Sequence, residues 1–131
     1  MTEAYLDTSA LVRLLHAECY SEDLEAYIRD NSIVLCTSDL SRTEVIKALG
    51  LAHYNEKALT RFFSDITVYP INTADFEEAG KVGLEDNLRS LDAIHIQMAI
   101  RHVLPVFITY DKRQLDVAGK SGMKVVSPGM M

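Results

Sequence analysis

The sequence contains few cysteines, no long apolar run and no excess of basic residues. Cys19 and Cys36 are the two cysteines among 131 residues, and neither has a metal-ligand partner at short spacing, so we assign them no chemistry. No apolar stretch approaches the roughly 20 residues that span a bilayer. Thr2 and Glu3 stand where a signal peptide would be basic or apolar. We therefore expect a cytoplasmic protein without a membrane segment.

Acidic residues outnumber basic ones, with 19 Asp and Glu against 13 Lys and Arg and a formal net charge of −6. This balance argues against a protein that holds nucleic acid with an extended basic face. The objection weakens if several of the acids hold divalent cations in one site. An acidic surface would also suit a basic protein partner.

Apolar runs of strand length alternate with segments of helical periodicity. This alternation is typical of an α/β fold with a mainly parallel sheet. A length of 131 residues favours one domain over residues 1–131. The predicted strands cover residues 4–6, 33–36, 66–69, 106–109 and 124–126.

Two helices are predicted from apolar stripes, and others fill the remaining intervals. One stripe comprises Val45, Ala48, Leu49 and Ala52, and the other comprises Leu91, Ile94 and Met98. Further helices are predicted at residues 11–16, 22–29, 56–63, 76–82 and 112–120, with breaks at Gly83, Pro105 and Gly122. Pro128 and Gly129 indicate a loose tail over residues 127–131.

Two aspartates follow predicted strands directly. Asp7 comes after the first strand, and Asp111 lies two residues after the fourth strand, before a helix that begins at Lys112. Ligands in open α/β sheets bind beyond the carboxyl ends of strands. A structural explanation is also open for each, because Asp7 suits a helix N-cap and Asp111 with Gln114 resembles a capping box.

Two further acids lie near predicted helix starts. Glu44 ends the pattern Ser41-Arg42-Thr43-Glu44, which fits an S-x-x-E capping box. Asp92 suits the first turn of a helix capped by Ser90, where the helix dipole favours a carboxylate. However, residues 91–96 are apolar around Asp92, and a buried carboxylate costs several kcal/mol unless a cation or other partner compensates it.

The four acids together predict a shared metal site. Strand ends and helix starts gather at one edge of a parallel α/β sheet, so acids at these places tend to converge. If the first and fourth strands are neighbours, Asp7 and Asp111 lie on strand ends roughly 5 Å apart. An all-oxygen ligand set suits Mg²⁺ or Mn²⁺ and lacks the Cys and His ligands expected of zinc.

At these acids the sequence resembles the PIN-domain family, and more narrowly the VapC-type toxin ribonucleases of toxin–antitoxin systems. The ordered set of motifs is more specific than any one of them, and it extends over essentially the whole chain. The matching segments are Tyr5-Leu6-Asp7-Thr8-Ser9-Ala10-Leu11, Ser41-Arg42-Thr43-Glu44-Val45, Leu91-Asp92-Ala93-Ile94-His95 and Thr109-Tyr110-Asp111-Lys112.

The resemblance implies a three-layer α/β/α fold with a mainly parallel sheet of about five strands. It implies that Asp7, Glu44, Asp92 and Asp111 bind Mg²⁺ or Mn²⁺ and catalyse RNA hydrolysis that leaves 5′-phosphate and 3′-hydroxyl ends. Ser9 and Thr109 match hydroxyl positions that orient carboxylates or water, whereas we interpret Asp116 as a surface acid. A homodimer and inhibition by a VapB-like antitoxin are also implied.

Three alternatives remain open at this point. A ribonuclease that uses histidines as acid and base would draw on His16, His53, His95 and His102, but no evident partner accompanies them. His95 lies one turn from Asp92 and could hydrogen-bond it, although we favour a structural histidine. A haloacid-dehalogenase-like phosphatase would need Asp at Ser9. The third alternative is a catalytically silent PIN-like module that binds RNA or an antitoxin.

Overall fold

Strands and helices alternate along residues 1–130, which are the residues described by this computed structural model. The elements are β1 (Thr2–Leu6), α1 (Thr8–Leu15), α2 (Ser21–Asp30), β2 (Ile33–Ser38), α3 (Leu40–His53), α4 (Glu56–Ser64), β3 (Thr67–Tyr69), α5 (Thr73–Asp86), α6 (Ser90–Arg101), β4 (Val106–Ile108), α7 (Lys112–Lys120) and β5 (Lys124–Val126). Within residues 1–130, no helix is long and apolar enough to cross a membrane.

The five strands form one sheet in the order β3-β2-β1-β4-β5, and every neighbouring pair is parallel. The chain builds outward from β1 to β3 and then returns to place β4 on the other side of β1. Leu6 of β1 pairs with Ile108 of β4, so the first and fourth strands are neighbours and the condition for bringing Asp7 near Asp111 is met. This reversal creates a crevice at the carboxyl ends of β1 and β4, where α/β proteins commonly bind ligands.

Helices cover both faces of the sheet, which confirms the predicted three-layer α/β/α fold. Successive strand side chains point to opposite faces, so Leu6 packs with residues of α1 to α4 while Tyr5 packs with residues of α5 to α7. Tyr5, Leu6 and Phe107 are fully buried. The strands that end at the crevice are therefore held from both sides.

Several helix boundaries differ from those predicted because capping residues extend the helices beyond their apolar stripes. The Asp7 carboxylate accepts from the backbone N–H of Ala10, and α1 begins three residues earlier than predicted. At α5, Asn72 provides a capping box. The predicted break at Gly83 was wrong, because α5 continues through Gly83, and the absence of a side chain there permits close approach of the Leu88 carbonyl.

The C-terminal segment is packed rather than loose as far as residue 130. The buried Ser127 hydroxyl donates to the Thr109 carbonyl, and the Tyr110 hydroxyl donates to the Pro128 carbonyl at 2.8 Å. Met130 packs against the core on the α1 side of the sheet. The predicted loose tail was therefore wrong for residues 127–130, and Met131 lies outside the described residues.

Candidate active site

The crevice beside β1 and β4 collects the predicted acids. Asp7 follows β1 and caps α1, and Asp111 caps α7 shortly after β4. Asp92 lies in the first turn of α6, and Glu44 lies in the second turn of α3. Each acid is therefore held by a different helix at one end of the sheet.

Asp7 is the most deeply buried acid of this group, with 1% of its surface exposed. Its Oδ1 accepts from the Ser9 hydroxyl at 2.6 Å, and its Oδ2 accepts from the Thr109 hydroxyl at 2.5 Å. Burial nevertheless raises the pKa of Asp7, because nearby His95 and these hydrogen bonds only partly offset the loss of water. The ionised carboxylate is therefore incompletely compensated by the protein around it.

Gln114 and Arg89 connect the three aspartates. The Gln114 amide nitrogen donates to Asp7 Oδ2 at 3.0 Å and to Asp92 Oδ1 at 3.3 Å. The Arg89 guanidinium donates to Asp92 Oδ2 at 2.8 Å and to Asp111 Oδ2 at 3.3 Å. The aspartates thus belong to one hydrogen-bonded network, although Asp7 and Asp111 are connected through intermediates.

Glu44 is held by a histidine and a hydroxyl. His95 Nε2 lies 2.5 Å from Glu44 Oε1, and the Thr8 hydroxyl donates to the same oxygen at 2.6 Å. Partial burial opposes ionisation of Glu44, but His95 and Thr8, with Arg89 nearby, outweigh it and lower the pKa of this carboxyl below its usual range. Glu44 is therefore stabilised as an anion.

The structural explanation of Glu44 was wrong, and helix capping by Asp7 and Asp111 was right. Glu44 takes no part in a capping box, because α3 begins at Leu40 and the Ser41 hydroxyl bonds Thr37 instead. His95 bonds Glu44 rather than Asp92. Asp7 and Asp111 do cap their helices, as the sequence allowed. In α/β folds one carboxylate can cap with one oxygen and present the other to a ligand.

The Asp111–Gln114 capping box and the Ser90 N-cap were also wrong. Asp111 accepts from the Arg113 backbone N–H, but Gln114 turns inward to the other aspartates instead of completing the box. Ser90 is the first residue of α6, and Arg89 occupies the N-cap position without a side-chain cap hydrogen bond. Arg89 instead directs its guanidinium to the acids.

The family model of the PIN domain matches residues 4–120. The chain belongs to the PIN domain family. Ribonuclease VapC46 of Mycobacterium tuberculosis (strain ATCC 25618 / H37Rv) is 34% identical over 131 residues, covering 98% of this chain and 99% of that protein. Ribonuclease VapC47 of Mycobacterium tuberculosis (strain CDC 1551 / Oshkosh) is 34% identical over 134 residues, covering 95% of this chain and 96% of VapC47. The predicted family resemblance is confirmed.

A solved structure shares the fold of this PIN domain at lower sequence identity. A chain of a toxin–antitoxin complex from Klebsiella pneumoniae superposes with a TM-score of 0.77 at 22% identity, covering 98% of this chain and 99% of that one. At this identity the similarity establishes the fold. The five-stranded sheet flanked by helices is accordingly the architecture of a PIN domain.

The donor chemistry of the PIN-domain crevice fits a hard divalent cation. The four acids offer carboxylate oxygens, which Mg²⁺ and Mn²⁺ prefer, and Asp7 carries a charge that its neighbours leave partly uncompensated. Within residues 1–130, no three His, Cys, Asp or Glu side chains are arranged to hold a metal ion as they stand. Arg89 provides positive charge between Asp92 and Asp111, and its side chain is 62% exposed, so metal binding would require it to move outward.

A groove adjoins the acids on the Glu44 side. Its volume is about 520 Å³, and apolar Leu40, Ala48 and Leu91 form much of its wall. Lys47 contributes one positive charge, while Thr8 and Thr43 contribute hydroxyls. The groove therefore offers room beside the Glu44 carboxylate for a bound chain that combines polar and apolar groups.

Several residues of the network were not predicted from the sequence. Arg89 and Thr8 carry no local pattern that distinguishes them from ordinary surface and helix-start residues. Gln114 did leave a signal, because it shares a helical stripe with buried Val117 and Ala118. An amide on the buried face of an amphipathic helix requires polar partners, and here those partners are aspartates.

Proposed function

We propose that this PIN domain is a metal-dependent endoribonuclease that hydrolyses RNA phosphodiester bonds and acts as the toxin of a VapBC-type toxin–antitoxin pair. The observation that carries the proposal is the joined network of Asp7, Asp92 and Asp111, with Glu44 beside it, at the sheet edge. The names of the two relatives at 34% identity, both ribonucleases, support the reaction class.

In this proposal Asp7, Glu44, Asp92 and Asp111 would hold Mg²⁺ or Mn²⁺. When bound, such an ion lowers the pKa of a water molecule and neutralises charge on the phosphoryl group. Ser9 and Thr109 orient the Asp7 carboxylate through their hydroxyls. The exposed guanidinium of Arg89, once released from the acids, is free to pair with an RNA phosphate.

The histidines are poorly placed for acid–base catalysis in this crevice. His95 is 1% exposed and both its ring nitrogens are engaged within the protein. His16 and His53 do form a pair, with ring centroids 4.1 Å apart. That pair lies at the far end of α1 from Asp7, and an eight-residue helix is about 12 Å long. His102 stacks on Tyr69.

Incubation of the purified protein with a panel of RNAs tests the proposal. We expect internal cleavage in Mn²⁺ or Mg²⁺ and none in EDTA, because the acids alone supply no positive charge to the phosphate. A protein with both His16→Ala and His53→Ala should cleave like wild type and serves as the control. Tight RNA binding without cleavage in either metal would instead establish a silent binding module.

The proposed antitoxin would insert Arg or Lys side chains among the carboxylates and lay an apolar segment in the adjoining groove. The acidic net charge and the groove wall of Leu40, Ala48 and Leu91 support this partner chemistry. Co-expression with the neighbouring small open reading frame should yield a complex that no longer cleaves RNA. Failure to co-purify, together with unchanged cleavage, would contradict it.

Sedimentation of the free toxin should give twice the mass of one chain, as a homodimer requires.

A further inference from the structure

A buried row of hydrogen bonds leads from the interior of the sheet to Glu44. The Ser38 hydroxyl lies 2.9 Å from the Tyr5 hydroxyl, which lies 2.6 Å from His95 Nδ1. His95 Nε2 then lies 2.5 Å from Glu44 Oε1. Ser38 and Tyr5 are fully buried, His95 is 1% exposed, and the Glu44 side chain is 23% exposed. The row therefore begins in the core and ends at the crevice.

The chemistry of the carboxylate assigns the donor at the Glu44 end of this row. An ionised carboxylate only accepts, so His95 Nε2 carries a hydrogen and donates to Glu44. The opposite ring nitrogen, Nδ1, bonds the Tyr5 hydroxyl, which also bonds Ser38. Because Tyr5 holds the ring at Nδ1, His95 keeps its Nε2–H directed at Glu44.

Packing prevents His95 from turning away. Its ring meets the Tyr5 ring edge-on, with centroids 5.7 Å apart and planes at 66°. The Tyr5 ring stacks on Phe107 of the neighbouring strand at 5.3 Å and 11°. Because Phe107 is fully buried in the central sheet, the imidazole is fixed relative to the strands and does not depend on a surface loop.

Glu44 needs such support more than Asp7 and Asp111 do. Asp7 and Asp111 are short side chains that accept backbone N–H groups at helix starts. Glu44 has a longer side chain, with more rotamer freedom to lose. Among the hydrogen bonds found in residues 1–130, its carboxylate accepts from Thr8 and His95 and from no backbone group.

We propose that His95, held in place by Tyr5, is a positioning residue that fixes the Glu44 carboxylate as a metal ligand of the crevice. The inference rests on the proposed function, because it takes Glu44 to bind the ion. Partners of this kind, which orient a ligand from behind, typically contribute about 10- to 100-fold to metal affinity or activity. His95 thereby acquires a role without touching RNA or the scissile phosphate.

Mn²⁺ binding to the full chain tests the inference directly. The EPR signal of free Mn²⁺ measures how much of the ion remains unbound. His95→Met removes the donor while nearly conserving volume, and it should weaken Mn²⁺ binding about 10- to 100-fold. His95→Gln places an amide N–H the same number of bonds from the backbone as Nε2, and it should recover most of the loss. Tyr5→Phe keeps the stacked ring but frees the imidazole, so its effect should be intermediate.

RNA cleavage by the same proteins supplies the second readout. In His95→Met, kcat at low Mn²⁺ should fall and should be restored by raising Mn²⁺, whereas the KM for RNA should stay unchanged. A purely structural defect would not be rescued by the ion or by Gln. His102→Met, a change of a second histidine beyond the other end of α6, should match wild type in both measurements.

Three results would overturn the inference. The first is a folded His95→Met protein that binds Mn²⁺ as tightly as wild type. The second is a folded His95→Gln protein as impaired as His95→Met. The third concerns the case in which His95→Met does not fold. A Tyr5→Phe protein that then binds Mn²⁺ as tightly as wild type would contradict the inference. A wild-type protein that neither binds Mn²⁺ nor cleaves RNA would overturn the proposed function as well. Failure of the inference alone is recognised by a wild-type protein that binds Mn²⁺ and cleaves RNA.

Discussion

Replacing Asp7 with Asn is expected to abolish RNA cleavage in a protein that still folds. Asp7 lies at the centre of the network, in contact with Ser9, Thr109 and Gln114. The substitution removes an anionic ligand, and we expect the cleavage rate to fall by more than about 100-fold. That factor is the upper end of the loss typical for residues that only orient a metal ligand. No other substitution in the crevice combines such complete burial with direct loss of charge.

The fold should tolerate this change because the substitution removes a poorly compensated charge. Burial raises the pKa of Asp7, so a neutral side chain relieves part of a desolvation cost. We therefore expect the Tm of the metal-free protein to stay equal or to rise.

Cleavage rates and thermal unfolding of Asp7→Asn, measured beside Asp116→Asn, test this prediction. Asp116 is an exposed acid on α7, and its replacement by Asn should change neither quantity. Wild-type cleavage by a folded Asp7→Asn protein would remove Asp7 from the site. A large fall in Tm would show instead that its charge stabilises the fold.

The architecture could be predicted from the sequence because its signals are local. Strand-length apolar runs and helical stripes alternate with turn residues, and each pattern reflects burial against the same sheet. Boundaries were less predictable at α1 and α5, where polar capping residues extend the helices into segments without apolar periodicity. The C-terminal tail was misjudged because Pro128 and Gly129 indicate a turn but carry no information about what the turn packs on.

The candidate site was predictable in its acids and less so in the groups that connect them. Asp7 and Asp111 follow neighbouring strands, so sheet topology alone brings their backbones together. The bond from Gln114 to Asp7 joins residues 107 positions apart and depends on side-chain rotamers as well as on topology. For Glu44 a local pattern was present but its interpretation was wrong. The S-x-x-E pattern predicted a capping box, whereas the helix begins one residue before the serine of that pattern.

The chemical course of hydrolysis provides the second prediction with a large effect. A ribonuclease that uses histidines as acid and base typically makes the 2′-hydroxyl its nucleophile and passes through a 2′,3′-cyclic phosphate. Hydrolysis by an attacking water at a carboxylate site has no use for that hydroxyl. We expect an otherwise accepted RNA to be cleaved when a 2′-O-methyl group stands at the scissile nucleotide, because His95 is buried and the His16–His53 pair lies away from Asp7.

The most direct measurement is the identity of the product ends from that methylated RNA, with Mn²⁺ and with EDTA. Product ends distinguish the two mechanisms even where the methyl group slows binding, since unmethylated RNA can be analysed in parallel. The carboxylate site of Asp7, Glu44, Asp92 and Asp111 predicts 5′-phosphate and 3′-hydroxyl ends in Mn²⁺ and no products in EDTA. Cyclic-phosphate ends on the unmethylated RNA, or full activity in EDTA, would contradict it.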